Sequence, residues 1–135
     1  MRTILALAFL AVLCAFAVQI ANADDRPPVE MSEAETAKWL TFFDRLVTTV
    51  VRTSSAPCDK MANEGNTVID ANRDAIAVAR AAHAAGKKLP QEAQEHMLEG
   101  VKKMVPAMQR CGTDGKVRAA FARLDLKRKD AAARR

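Results

Sequence analysis

The sequence has few aromatic residues: it contains no tyrosine, one tryptophan and five phenylalanines among 135 residues. Binding of single-stranded nucleic acid by base stacking needs aromatic side chains interleaved with basic ones, and the chain has no such pattern. It also has no Gly-rich phosphate-binding loop, and no Ser/His/Asp arrangement can be placed on it. We therefore predict a non-enzymatic protein with no specific nucleic-acid partner.

Cysteine is equally scarce, with only Cys14, Cys58 and Cys111. Cys14 falls within an apolar N-terminal segment, so its removal with that segment leaves a pair without the CxxC spacing of metal and redox sites. Cys58 begins one predicted helix and Cys111 ends the next. Because cysteines of exported proteins oxidise, we predict a Cys58–Cys111 disulfide; two free thiols or a metal-binding pair are the alternatives.

The N-terminus has the pattern of a secretory signal. Arg2 precedes an apolar run over residues 4–20, and Ala21-Asn22-Ala23 matches an A-x-A cleavage site. We predict a Sec-type signal peptide over residues 1–23 that is cleaved after Ala23, which places the protein in the periplasm or outside the cell. No later segment is apolar enough to span a bilayer, so we expect no transmembrane segment in the mature chain.

Positive charge is concentrated at the C-terminus. The formal net charge is +5, and residues 116–135 contain eight basic and two acidic residues. We predict a solvated basic tail over residues 127–135, with its charge on Lys127, Arg128, Lys129, Arg134 and Arg135. Such a tail suits an anionic envelope polymer, whereas an unidentified protein is the other partner that we consider.

Between these ends the pattern is helical. Residues 24–31 contain Pro27-Pro28 and predict an extended leader, followed by a helical domain over residues 32–126. Ser32 and Glu35 form a capping box that opens the first helix. A second helix is predicted from Pro57 to Ala85 with Gly86 as its stop, a third from Pro90 to Gly112, and a shorter fourth after Asp114.

Four amphipathic helices with short connections predict an all-α fold, a small antiparallel up-down-up-down four-helix bundle with one disulfide. The short connection and the positions of the cysteines predict that the second and third helices are antiparallel neighbours. The apolar face of the third helix is predicted to comprise Met97, Leu98, Val101, Met104, Val105, Met108 and Cys111. Asn72 lies on the apolar face of the second helix, where its amide needs a partner across the bundle.

Only three residues are candidate metal ligands. His83 and His96 lie near the turn between the second and third helices, and Met97 follows directly. A His/His/Met set suits copper or haem iron, so a bundle for electron transfer or metal handling is the alternative function. The CxxCH and HExxH motifs are both missing. We therefore predict no cofactor and no metal, and interpret the protein as an interaction or binding module.

Overall fold

The computed structural model describes residues 27–127, which form five α-helices and no β-strand. The helices are α1 (Glu33–Arg52), α2 (Cys58–Ala71), α3 (Arg73–Ala84), α4 (Gln91–Cys111) and α5 (Gly115–Ala122). The predicted all-α class is confirmed. The predicted signal peptide and residues 128–135 of the predicted tail lie outside the described residues.

Helix α1 begins at the predicted capping box. The Ser32 hydroxyl accepts a hydrogen bond from the Glu35 amide at 3.1 Å, and the Glu35 carboxylate accepts one from the Ser32 amide at 2.8 Å. These two bonds satisfy amides that a helix start leaves without intrahelical partners. The helix then buries a wide face that consists of Trp39, Phe42, Phe43, Leu46, Val47, Thr49 and Val50.

The second predicted helix is broken at Asn72, which raises the predicted four helices to five over residues 27–127. The Asn72 side-chain amide donates to the Val68 carbonyl at 2.7 Å, the acceptor that the Asn72 backbone N–H would use in a continuous helix. The backbone N–H donates instead to the Ile69 carbonyl at 3.1 Å. Asn72 therefore ends α2 because its side chain competes with the helical hydrogen bond.

Helix α3 stops at Gly86, as predicted. Gly86 has a φ of 73°, in the left-handed region that favours glycine. Its amide donates to the His83 carbonyl at 3.0 Å, and the Lys87 amide donates to the Ala82 carbonyl at 2.9 Å. This is the Schellman pattern of a helix C-terminus. The Lys88 amide then donates to Val29 at 2.9 Å and its carbonyl accepts from Met31 at 2.8 Å, so the leader runs along this turn.

Helix α1 occupies the centre of the fold, in contact with α2, α3 and α4, while α5 packs on α2. The third predicted helix, α4, therefore packs mainly against α1, although it was expected to be an antiparallel neighbour of the second predicted helix, to which the disulfide joins it. The physical reason is the breadth of the apolar face of α1. One of its sides builds a core cluster with α3, and the other builds a cluster with α2, α4 and Val117 of α5.

The Cys58–Cys111 disulfide is present, with an S–S distance of 2.07 Å and a Cα–Cα distance of 5.5 Å. It joins the first residue of α2 to the last residue of α4, as predicted. Arg110, next to it, donates to the Ser54 carbonyl at 2.7 Å and also to the Ala56 carbonyl. Covalent and polar contacts thus fix the same end of the fold.

None of the helices within residues 27–127 combines the length and the apolar character that are needed to cross a membrane. This finding agrees with the expectation that the part of the chain after the predicted signal contains no spanning segment.

Gly100 is the residue of α4 that permits close contact with α1. A Cβ at this position would lie 2.5 Å from Cε1 of Phe43 and 3.1 Å from Cγ2 of Val47. Gly65 of α2 offers a matched control, because a Cβ there meets no atom within 4 Å.

We predict opposite effects for the same substitution at these two glycines. Gly100→Ala forces the buried Phe43 ring to move and lowers the free energy of unfolding by about 1–3 kcal/mol. Gly65→Ala raises it by up to about 1 kcal/mol, because alanine has the higher helix propensity. Urea denaturation of the two variants measures both values. A stabilised Gly100→Ala would contradict the close packing of α4 on α1.

Candidate interaction surface

The face of α4 that is buried differs from the predicted one. Met104 and Cys111 are buried, and Met97 and Met108 are partly buried against the core. By contrast, Leu98, Val101 and Val105 are 55%, 44% and 43% exposed. Their assignment to the buried face was wrong.

Small residues explain this difference. Ala93, Gly100 and Ala107 recur every seven residues along α4, and all three are buried. A column of small residues lets two helix backbones approach closely, and its middle member, Gly100, lies against the large Phe43 of α1. The heptad spacing of small residues was therefore the sequence signal for the core face. Of the large apolar residues, Met104 is also buried, whereas Leu98, Val101 and Val105 lie beside that face.

We call Leu98, Val101 and Val105 the outer stripe. They stand three and seven residues apart, so they share one side of the helix. Met97 and Met108, which contact the core, flank the stripe and connect it to the interior. Isolated exposed apolar residues are normal on protein surfaces, whereas several grouped on one face are typical of contact sites.

Charges on α4 are separated along its length. The first half, residues 91–100, contains the acidic residues Glu92, Glu95 and Glu99 and no lysine or arginine; the second half, residues 101–111, contains Lys102, Lys103 and Arg110 and no acid. All six side chains belong to exposed residues. Glu99 accepts a hydrogen bond from Lys102 at 2.6 Å, which lowers the pKa of Glu99. The boundary between the two halves falls within the outer stripe.

A cleft of about 490 Å³ lies on the other side of α4, between the leader, α1 and the start of α4. His96 borders it and stands two residues before Leu98, which places it about 200° around the helix from that residue. The walls of the cleft are partly apolar, with Met31, Leu40 and Ala93. The cleft is also lined by the acidic residues Glu30, Glu33 and Glu92. Glu33 and Glu92 occupy first turns of helices, where carboxylates stabilise the positive helix end. The acidic rim by itself therefore defines no ligand.

The three candidate ligands have separate surroundings. His83 is exposed in the last turn of α3, and His96 Nε2 lies 2.7 Å from Asp44 Oδ1. Met97 Sδ accepts a hydrogen bond from Trp39 Nε1 at 3.2 Å. Among residues 27–127, no group of three or more His, Cys, Asp or Glu side chains is arranged to hold a metal ion. The haem or copper alternative stays a prediction that no contact of these residues supports.

The polar residues near the α2–α3 break have structural partners. Asn72 Oδ1 accepts from Arg45 of α1 at 3.2 Å, which is the cross-helix partner that its position on an apolar face required. Arg123, just after α5, donates to Asn66 at 2.7 Å and to Asp70 at 2.6 Å. The hydrogen bonds from Arg123 and then from Arg73 lower the pKa of Asp70. This network attaches the C-terminal part of the domain to α2.

The chain matches no protein-family model, and no curated protein or solved structure shows significant similarity to it.

Proposed function

We propose that this protein is an exported, non-enzymatic interaction module that binds a protein partner through the outer stripe of α4. Its place of action is the periplasm or the outside of the cell. The observation that carries the proposal is the exposure of three large apolar side chains on one side of a helix, next to the face that packs in the core. Covering such a face removes apolar surface from water at a gain of about 25 cal/mol per Å².

Grouping distinguishes the outer stripe from ordinary exposed residues. Val51 of α1 is 43% exposed, as much as Val105, but among the large apolar residues of α1 it is the only one exposed to this degree. The outer stripe places three such side chains within about two turns of α4, between flanking methionines. Methionine is enriched at protein contacts because its unbranched side chain adapts to different partners.

Export is supported by two independent features of the chain. The first is the N-terminal pattern, with its apolar run and its cleavage site at Ala23. The second is the disulfide between Cys58 and Cys111, because such bonds form and persist in oxidising compartments.

Capture of partners from an envelope extract tests the proposed function. We expect Val101→Lys to abolish most of the capture that the wild type shows, because a lysine in the outer stripe opposes its burial. Val51→Lys is the matched control and is expected to retain wild-type capture, since it makes the same change at the same exposure on another helix. Equal capture by all three proteins would contradict a role for the outer stripe.

The basic tail supports a second candidate partner, an anionic envelope polymer, because five of its nine residues are lysine or arginine. Comparing the mature chain with one that ends at Leu126 on immobilised heparin tests this alternative. Polyanion binding predicts that the shorter chain elutes at a clearly lower salt concentration, because fewer basic residues release fewer counterions. Elution of both chains at the same salt concentration would show that the tail does not bind the polyanion.

A further inference from the structure

We propose that the cleft between the leader, α1 and α4 binds a linear aliphatic polyamine, a small cation whose ammonium groups are linked by short methylene chains. This site is separate from the outer stripe, whose residues do not line the cleft. The proposal rests on the apolar walls of the cleft, on its charge and the spacing of its carboxylates, and on a buried hydroxyl in its wall.

The cleft has the size and the walls of a small-molecule site. Its volume of about 490 Å³ lies within the range of such pockets. Met31, Leu40 and Ala93 give it apolar surface on which methylene groups can pack. A hydrated metal ion gains nothing from such walls, whereas an apolar chain between charged groups is removed from water there.

The negative charge of the cleft lacks a counter-charge. Glu30, Glu33 and Glu92 line the cleft, and none of them forms an ion pair or a side-chain hydrogen bond with any described residue. Every other aspartate and glutamate in the described part of the chain has at least one such contact. His96 is the one lining residue that can become positive, and it is held 2.7 Å from Asp44. The cleft therefore attracts cations.

The spacing of the carboxylates selects a cation with separated charges. Among residues 27–127, no group of three or more His, Cys, Asp or Glu side chains is arranged to hold a metal ion. Glu30, Glu33 and Glu92 therefore lie around the cleft without converging on one point. A single metal ion does not reach all three, whereas a polyamine carries its ammonium groups apart and can place them beside separate carboxylates.

The wall of the cleft also contains a hydroxyl without a partner. Thr36 lines the cleft, and its Oγ1 atom is buried and makes no hydrogen bond within residues 27–127. Buried polar atoms usually have a partner. A donor bound in the cleft supplies one when the Thr36 side chain rotates towards it. Protonated amine groups are donors only, so they suit both this oxygen and the carboxylates.

A methyl NMR titration of disulfide-bonded residues 24–135 with spermidine, the probe for this ligand class, tests the proposal. The double variant Glu33→Gln, Glu92→Gln removes two charges of the cleft and is expected to raise the dissociation constant about fivefold or more. The matched control Glu95→Gln, Glu99→Gln removes two charges of α4 outside the cleft and is expected to change it less than about twofold, because solvent and salt screen those charges. No binding by the wild type, or equal weakening by both double variants, would overturn the proposal.

Two further measurements separate binding in the cleft from general attraction between charges. Spermidine is expected to shift the methyl signals of Leu40 and Ala93, whereas magnesium chloride at the same ionic strength is expected to leave them unchanged, because a metal ion has no apolar part. Thr36→Val keeps the charge and the shape and is expected to raise the dissociation constant about threefold or more, because it removes an acceptor. Equal shifts with magnesium, or an unchanged dissociation constant for Thr36→Val, would contradict the proposed site.

The outer stripe is unchanged in all of these variants. Failure of this proposal would therefore leave the proposed function intact, and capture of a protein partner by the outer stripe is tested independently of the cleft.

Discussion

Replacing Cys58 by serine is expected to lower the free energy of unfolding by about 4 kcal/mol, because the disulfide closes a loop across a sequence separation of 53 residues. Without the disulfide the unfolded chain has more conformational entropy, which stabilises the unfolded state. Cys58 is the better residue to replace, because it is only partly buried and its substitute can reach water, whereas Cys111 is fully buried. For a domain of about 100 residues this loss lowers the melting temperature by at least about 15 °C.

Reductant provides the control for this experiment. The wild type is expected to melt at a lower temperature when the reductant is present, and Cys58→Ser is expected to melt at the same temperature with and without it. Calorimetry or circular dichroism measures these four melting temperatures. A wild type that melts identically under both conditions would contradict a stabilising bond between Cys58 and Cys111.

The second large effect is expected in the core. Leu46 of α1 is 3% exposed and belongs to the cluster that joins α1 to α3. Leu46→Ala removes buried methyl groups and leaves a cavity, at a cost of about 2–5 kcal/mol in the free energy of unfolding. The reason is that the surrounding side chains relax only partly into the space.

Leu98→Ala is the matched control for Leu46→Ala, since it makes the same change at a position that is 55% exposed. We expect it to cost less than about 1 kcal/mol, because most of the removed surface already contacts water in the monomer. Urea denaturation of both variants measures the difference. Equal losses would mean either that α1 packs differently or that Leu98 is interior.

The features that the sequence predicted correctly depend on neighbouring residues. The capping box at Ser32, the stop at Gly86, the start at Pro90 and the cap at Asp114 each follow from the hydrogen bonds of a few consecutive residues. The disulfide was also predictable, because Cys58 and Cys111 are the two cysteines outside the predicted signal peptide. The all-α class followed from the helical period of the apolar residues.

The break at Asn72 could be predicted only in part. An asparagine on an apolar face indicated a partner across the bundle, and Arg45 of α1 is that partner. The same side chain also competes for the Val68 carbonyl, and this second hydrogen bond ends α2. The helical period of the apolar residues shows neither hydrogen bond, so the break could not be predicted from that pattern.

The orientation of α4 was missed for a related reason. Its large apolar residues gave a clear stripe, and the prediction placed that whole stripe against the core. In the structure the wide apolar face of α1 contacts α4 through methionines and through small residues, with Gly100 against Phe43, and Leu98, Val101 and Val105 stay outside this contact. The width of the apolar face of α1 decides which side of α4 is buried. The sequence of α4 alone does not show that width.

Methyl NMR spectra of residues 24–135, recorded before and after addition of the partner captured from the envelope extract, test most directly the claim that α4 makes contacts through its outer stripe. The account predicts that the methyl signals of Leu98, Val101 and Val105 shift when the partner is added while those of Val51 stay fixed. Unchanged signals at all four residues, or shifts at Val51 as large as those in the outer stripe, would contradict it.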